Sequence, residues 1–326
     1  PTYDCLTRCQ YLKLSLEEAR DEMLKLVRGE DTRILTDCVT CYACEEYCRF
    51  GNHPFYFIVE EQERRGILTA PKPIVRQWVQ LAEPLGERPR RARKPLLSMC
   101  FFPGLEHVLR SKLFEGVDVI MGRHIFCNLV YLHFAKPSLI KERLPKVIDA
   151  LAQHGVDEII FYHDECYSTF THYAKAIGLE VPFKPIHLFE FLYRRLKELE
   201  DQIKPLGLKV AYQRPCSSRL TPEKEHWVDR IFELIGVERV RREYDGENAL
   251  CCGSIFKLQG RLELAVEVQR RNVEDMVRHG AQACIFNCPN CYWTLAEIVA
   301  RRGIKPLLMS QLCQLAIGER PEGVPG

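Results

Sequence analysis

From Leu96 onward the chain alternates short apolar runs with amphipathic stretches. The runs VDVIM, DEIIFYH, LKVAYQ and AQACIF read as strands, and the stretches between them carry helical periodicity. That alternation predicts an α/β architecture with largely parallel strands. Before Leu96 the pattern is helical throughout. SLEEARDEMLKLVRG opens with a capping box, Ser15 with Glu18, and stops at Gly29. Its Leu16, Ala19, Met23, Leu24 and Val27 share one face, which predicts packing against the rest of the domain. Further helices are expected from Pro54 to Arg65 and from Val75 to Leu81.

Between these halves lies EPLGERPRRARKP, with three prolines, one glycine and five basic side chains, the composition of a linker. The expected organisation is a small all-helical domain over 1–82, a linker over 83–95, and two lobes over 96–204 and 205–326. The lobes are expected to be copies. HGVDEIIFYHDEC, ending at Cys166, aligns without a gap on HGAQACIFNCPNC, ending at Cys291, at an offset of 125. The same offset carries Cys127 onto Cys252 and His163 onto Cys288, while Cys100 matches Cys216 at an offset of 116. Two similar lobes would face each other with ligand loops at comparable strand ends.

Composition narrows the class. The 326 residues, 46% hydrophobic and 28% charged, suffice for two or three domains with their own cores. A net charge of +2, left by 46 basic and 44 acidic side chains, supplies no global field for nucleic acid or anionic lipid. No apolar run suits a signal peptide or a membrane span, so a reducing, cytoplasmic setting is expected, with any membrane association made through a partner. In that setting 16 cysteines grouped at short spacings read as metal or redox ligands rather than disulfides.

Three groups stand out. In DCVTCYACEEYCRF, Cys38, Cys41, Cys44 and Cys48 give CxxCxxCxxxC, the spacing at which a tight loop running into a helix wraps a cubane [4Fe-4S] cluster. In two-cluster ferredoxins the fourth cysteine of such a run serves the other cluster. By that logic Cys38, Cys41 and Cys44 recruit Cys9, leaving Cys5 and Cys48 as relics of a second cluster, since Thr2 stands where another ligand is expected. The simpler reading uses Cys48 locally. A zinc ribbon fits three nested short spacings less well than a single cubane cluster does.

The second group is Cys216, the pair Cys251-Cys252 in ALCCGSIF, and Cys288 and Cys291 in FNCPNCYW. With 34 residues between Cys216 and Cys251 and 35 between Cys252 and Cys288, five thiols exceed the four that one zinc uses. Adjacent cysteines do not easily address one cubane face, so a larger or bridged iron-sulfur cluster suits them, a second cubane being the alternative. Gly253 would let the backbone approach the cluster and adopt unusual dihedrals, and Pro215 and Pro289 would stiffen the ligand loops.

The third group is the first-lobe counterpart, Cys100, Cys127, His163 and Cys166. Phe126 stands at the position of Cys251 and Asn128 at that of Gly253. This Cys3His set suits a closed zinc site or a further iron-sulfur cluster; leftover cysteines buried as small hydrophobes are the bland alternative. His187, Cys284 and Cys313 read as packed core residues. His133 and His172 are candidates to approach the first-lobe site, and Tyr292 and Trp293 either wall the cluster or pack.

The pattern Cys216, Cys251-Cys252-Gly253, Cys288-x-x-Cys291 resembles the CCG (cysteine-rich) domain of the heterodisulfide reductase family, and the likeness covers essentially the whole chain. The resemblance implies a ferredoxin-like cubane domain followed by two CCG-type lobes, the first degenerate. It implies that Cys216, Cys251, Cys252, Cys288 and Cys291 hold a noncubane [4Fe-4S] cluster at which a disulfide is reduced in one-electron steps. No GxGxxG or other flavin or nicotinamide fingerprint accompanies these motifs, so partner subunits of a redox complex are expected, a flavin- or Fe-S-containing electron donor among them. Three functions follow from these readings. One is an oxidoreductase subunit acting on a disulfide or related small molecule. Another is a non-catalytic relay between a flavoprotein and another subunit or a membrane quinone module, and the last is a zinc-stabilised scaffold.

Overall fold

The computed structural model describes residues 2–81, 92, 95–102 and 104–324. The expected linker at 83–95 lies largely outside the described residues. The regular elements of residues 2–81 are all helices: Asp4–Thr7, Leu16–Arg28, Arg33–Asp37, Ala43–Tyr47, Pro54–Arg64 and Lys72–Leu81. Ser15 and Glu18 form the expected capping box and Gly29 closes that helix in the left-handed region at φ 76°. The face is not the expected one. Ala19 and Leu26 are buried, whereas Leu16 and Val27 stand 62% and 65% exposed.

The remainder forms two four-stranded parallel sheets. The first comprises β1 (Leu96–Ser98), β2 (Asp118–Ile120), β3 (Glu158–Phe161) and β4 (Lys184–His187), in the order β2-β1-β3-β4. The second comprises β5 (Lys209–Tyr212), β6 (Glu238–Arg239), β7 (Ala283–Phe286) and β8 (Lys305–Leu308), in the order β6-β5-β7-β8. The strand orders are the same, and β3 and β7 begin 125 residues apart. The central strands are apolar and buried on both faces, as helix-covered parallel sheets require.

Four strands escaped the apolar pattern for identifiable reasons. β1 and β6 span only three and two residues. β4 and β8 each carry a proline at their second position, Pro185 and Pro306, which usually argues against a strand. Both lie at a sheet edge, where an absent N–H breaks no interior ladder.

The lobes share a core. One apolar cluster runs from Leu97, Ile160 and Ile186 of the first sheet through Phe189 and Leu192 to Val210, Ile285 and Leu307 of the second. Another joins Tyr42, Phe55 and Val59 of the helical segment to Phe134, Ile159 and Phe161 of the first lobe. In each sheet the chain turns from β1 outward to β2 and then back past β1 to β3, or the equivalent. This creates a switch point where loops after adjacent strands diverge. The segments that follow β1, β3, β5 and β7 carry Cys100, Cys166, Cys216 and Cys288.

Candidate iron-sulfur sites

All sixteen cysteines are free thiols. In the helical segment Cys38 ends the helix Arg33–Asp37, and the chain reaches Cys41 and Cys44 through two left-handed residues, Thr40 at φ 56° and Tyr42 at φ 63°. Two such residues wind the loop tightly enough to turn successive thiols inward. Burial pushes Cys38 up to about 12, and the neighbouring Cys41 and Cys9 thiols add to the rise. Burial and then Cys9 raise Cys41 to about 11. Burial raises Cys44, with Cys38, Cys41 and Cys5 among its charged neighbours. Cys9 therefore lies close enough to act on Cys38 and Cys41. Cys48 instead acts on Cys5, whose pKa burial and Cys48 raise to about 11. Cys5 and Cys48 line a cavity of about 310 Å3 with Tyr3, Met23, Val27 and Phe50.

In the second lobe Cys216 opens a 3-10 turn after β5, and Cys251-Cys252 precede the short helix Ser254–Leu258. Cys288 caps the helix Pro289–Ala300 and Cys291 lies in its first turn, where the helix dipole favours thiolate. The thiols of Cys251, Cys252, Cys291 and Cys288 are neighbours in that order and act on one another's ionisation. That interaction raises Cys251 and depresses Cys252. Cys288 falls to about 6 beside Cys291, with His163 adding to the fall. Cys216 stands slightly apart, raised by burial and by the charges of Glu165, Cys252 and Cys288.

The first-lobe thiols Cys100, Cys127 and Cys166 are buried, with their sulfur atoms all within 4.8 Å of one another. His163 is not the fourth member of that set. Its Nε2 lies 3.3 Å from Cys288 Sγ in the other lobe. Burial opposes its charge, but Cys288 lifts it to about 10. The reason is its place in the fold: it leaves β3 at the seam between the lobes, facing the end of β7. His133 likewise serves another site than the expected one. Its Nε2 is 4.0 Å from Cys216 Sγ and its Nδ1 is 3.0 Å from the Thr40 hydroxyl, and burial holds it down to about 3. With Glu165, pushed up to about 8 by burial, His133 and Cys216 form a second close group.

Gly253 has φ 88°, as expected of an unusual dihedral, and its Cα lies close against a helix. A Cβ there would meet Gln269 Nε2 at 2.8 Å and Ala265 O at 3.2 Å. Asn128, its first-lobe counterpart, is also left-handed at φ 64°. His187 is a packed histidine with Nδ1 accepting the Phe189 N–H, and Cys284 and Cys313 are fully buried. Tyr292 packs edge-on to Phe286, while Trp293 is 54% exposed.

The donor set fits iron-sulfur chemistry. Buried thiols are pooled, and backbone N–H groups already point at sulfur: Leu12 to Cys9 at 3.5 Å, Thr40 to Cys38 at 3.4 Å and Gly253 to Cys251 at 3.4 Å. Such donors stabilise and tune thiolate-bound clusters. The residues that dock the two sites together carried no sequence signal. Glu46 takes both Arg214 and Arg219 from the turn around Cys216, each guanidinium within 2.9 Å of its carboxylate. Tyr11, Cys41, Cys216 and Cys251 line one small gap of about 10 Å3, and the Cys251 N–H donates to the Tyr11 hydroxyl at 3.5 Å.

Residues 210–296 match the family profile of the CCG cysteine-rich domain. The B subunit of fumarate reductase (CoM/CoB) from Methanothermobacter marburgensis is 23% identical over 96% of this chain and 70% of its own length. The D subunit of dihydromethanophenazine:CoB–CoM heterodisulfide reductase from Methanosarcina barkeri is 25% identical over 46% of this chain, a stretch that is 38% of that relative's length. A hypothetical protein from Helicobacter pylori, 15% identical, superposes over 92% of this chain and 64% of its own with a TM-score of 0.54, which concerns the fold alone. The second sheet thus carries a CCG cysteine-rich domain, and in its cysteine pattern and these relatives the chain is similar to the heterodisulfide reductase family.

Proposed function

We propose that the chain is an iron-sulfur electron-transfer subunit that receives electrons at the N-terminal thiols and delivers them to the CCG thiols for reduction of a disulfide or related substrate. The observation that carries this reading is the shared gap: Cys41 of the first site and Cys216 and Cys251 of the second line the same small space. When bound, a cubane cluster and a noncubane or second cubane cluster would supply one-electron chemistry. Cys9, Cys38, Cys41 and Cys44 would hold the first, in a ferredoxin-like domain. Cys216, Cys251, Cys252, Cys288 and Cys291 would hold the second, in the intact copy of a duplicated lobe. Cys100, Cys127 and Cys166 would hold zinc or a further cluster in the degenerate copy, with His163 released to face Cys288.

The protein's own groups fit this role. The Glu46 clamp fixes the helical segment on the second lobe, Tyr11 lines the space between the sites, and His163 and Glu165 bring protonatable groups to the seam. The relatives are named as subunits of reductases. Partner subunits are therefore part of the proposal, an electron donor among them.

One observation favours a second reading, a relay without its own substrate. Cys251, Cys252, Cys288 and Cys291 are all buried, at 3–7% exposure. Anaerobic preparation with iron and acid-labile sulfide analysis, followed by EPR on stepwise reduction, tests both. Two distinct cluster signals, with loss of one in Cys251→Ser, are expected. Turnover of a disulfide by the dye-reduced protein selects the first reading, and a second signal without turnover selects the relay. Zinc in place of iron at the five CCG thiols overturns both.

A further inference from the structure

Away from the thiol sites, three separate elements converge on one polar cluster. Glu45 lies in the helix Ala43–Tyr47, His53 caps the helix Pro54–Arg64, and His172 lies in the first lobe on a π-helical turn, Thr169–Tyr173. A carboxylate oxygen of Glu45 and one ring nitrogen from each histidine all lie within 4.8 Å of one another. The Glu45 carboxylate is almost enclosed, with its side chain 3% exposed, while His53 is 42% exposed.

Each polar partner here is held in place. His53 Nδ1 is 2.9 Å from Glu45 Oε2, and Glu45 Oε1 accepts the Phe55 N–H at 2.8 Å. The Tyr56 hydroxyl is 2.7 Å from His172 Nδ1. The two imidazoles meet edge-on, centroids 5.3 Å apart and planes at 80°, an arrangement that does not stack them. The Glu45–His53 pair and the Tyr56–His172 pair are each self-sufficient, so hydrogen bonding alone gives no reason for their convergence. The backbone is also distorted at both histidines. His53 is left-handed at φ 48° and ψ 53°, and His172 occupies a π turn; both features concentrate at functional sites. Beside the cluster a cavity of about 220 Å3 is lined by His53, Tyr56, Tyr173 and Glu60.

We propose that Glu45, His53 and His172 bind one divalent transition-metal ion of the zinc class, clipping the cluster-bearing helical segment to the first lobe. Two imidazoles and a carboxylate are a donor set that zinc accepts, with its remaining position open to water or a small ligand. Tyr56 is the outer partner such a site needs. Its hydroxyl is 2.7 Å from His172 Nδ1, and as the acceptor of an Nδ1–H it would fix the tautomer that leaves Nε2 free for the ion. Burial also holds His172 down to about 4, so its ring is neutral near neutral pH and its lone pair is available.

The test uses the full chain with its iron-sulfur groups in place, exposed anaerobically to equimolar zinc and passed through gel filtration. Zinc per chain and the zinc-edge X-ray absorption spectrum are compared for wild type, H53A, H172A and E45Q. His53 is partly exposed and the amide introduced by E45Q keeps an acceptor for the Phe55 N–H, so iron content serves as the check on folding. The expected result is the loss of one zinc per chain in each variant, iron unchanged, the lost ion having a nitrogen and oxygen shell at ~2.0 Å and no sulfur. Zinc content unaffected by H53A and E45Q overturns the proposal. So does a lost ion with sulfur in its shell, or a wild type that retains no zinc after filtration.

Discussion

Removal of the Glu46 carboxylate should loosen the N-terminal cluster loop from the second lobe. The Glu46 side chain is 8% exposed and its partners Arg214 and Arg219 are 2% and 4% exposed. Its Oε2 accepts from Nη1 of both arginines, at 2.9 and 2.8 Å, and its Oε1 accepts from Arg214 Nη2 at 2.9 Å. In Glu46→Ala two buried guanidinium groups lose their shared counter-charge, a change that costs about 3–5 kcal/mol for a buried pair broken on one side. Other acceptors remain: Gly246 O and Ser218 O for Arg214, Glu247 O and Ala249 O for Arg219, with Glu225 3.6 Å from Arg214 Nε. The lower end of that range, about 3 kcal/mol, is therefore expected. A chain with several cores need not unfold in one step, so native-state hydrogen exchange of the Cys48 amide, which donates to Cys44 O, is the suitable assay. A cycle with Arg219→Met should show coupling of about 1–3 kcal/mol. Loss of less than about 1 kcal/mol in Glu46→Ala, or additive single substitutions, would refute the clamp as the element that docks the two sites.

Further outcomes follow from the same geometry. Cys9→Ser should remove one cluster's iron and sulfide from the protein while Cys48→Ser leaves the content unchanged; the reverse result would assign Cys48 as the ligand. Gly253→Ala should destabilise by about 1–3 kcal/mol in urea unfolding, because φ 88° and the contact with Gln269 Nε2 both oppose a Cβ. Burial pushes Cys284 up to about 12 from its usual 9. A thiol whose folded pKa is raised contributes stability below the unfolded value and loses it as pH climbs through the folded one. The slope of stability between pH 9 and 12 should therefore be shallower in Cys284→Ala, as read by urea midpoints across that window, and an unchanged slope would refute it.

Much of this molecule was legible in order along the chain. Capping at Ser15 and Glu18, the strands around Ile160 and Ile285, and the CxxC after β7 are local features, written in spacing and periodicity. The 125-residue offset equals the separation between the starts of β3 and β7. Other elements were hidden by local signals that point the wrong way. Pro185 and Pro306 argue against strands unless their edge position is known, and Leu16 and Val27 share a helical face that nothing among the described residues covers.

What the sequence determined alone was the inventory: which thiols are near neighbours, which loops they occupy and which chemistry their number suits. These depend on separations of a few residues, where chain geometry leaves little choice. What only the tertiary structure decided was which side chains from distant segments meet. His163 turns to Cys288 of the other sheet, His133 to Cys216, and Glu46 finds two arginines about 170 residues away. Those choices are settled by how two sheets and a helical segment pack over shared cores. Packing sums many weak apolar contacts that no short stretch of chain contains.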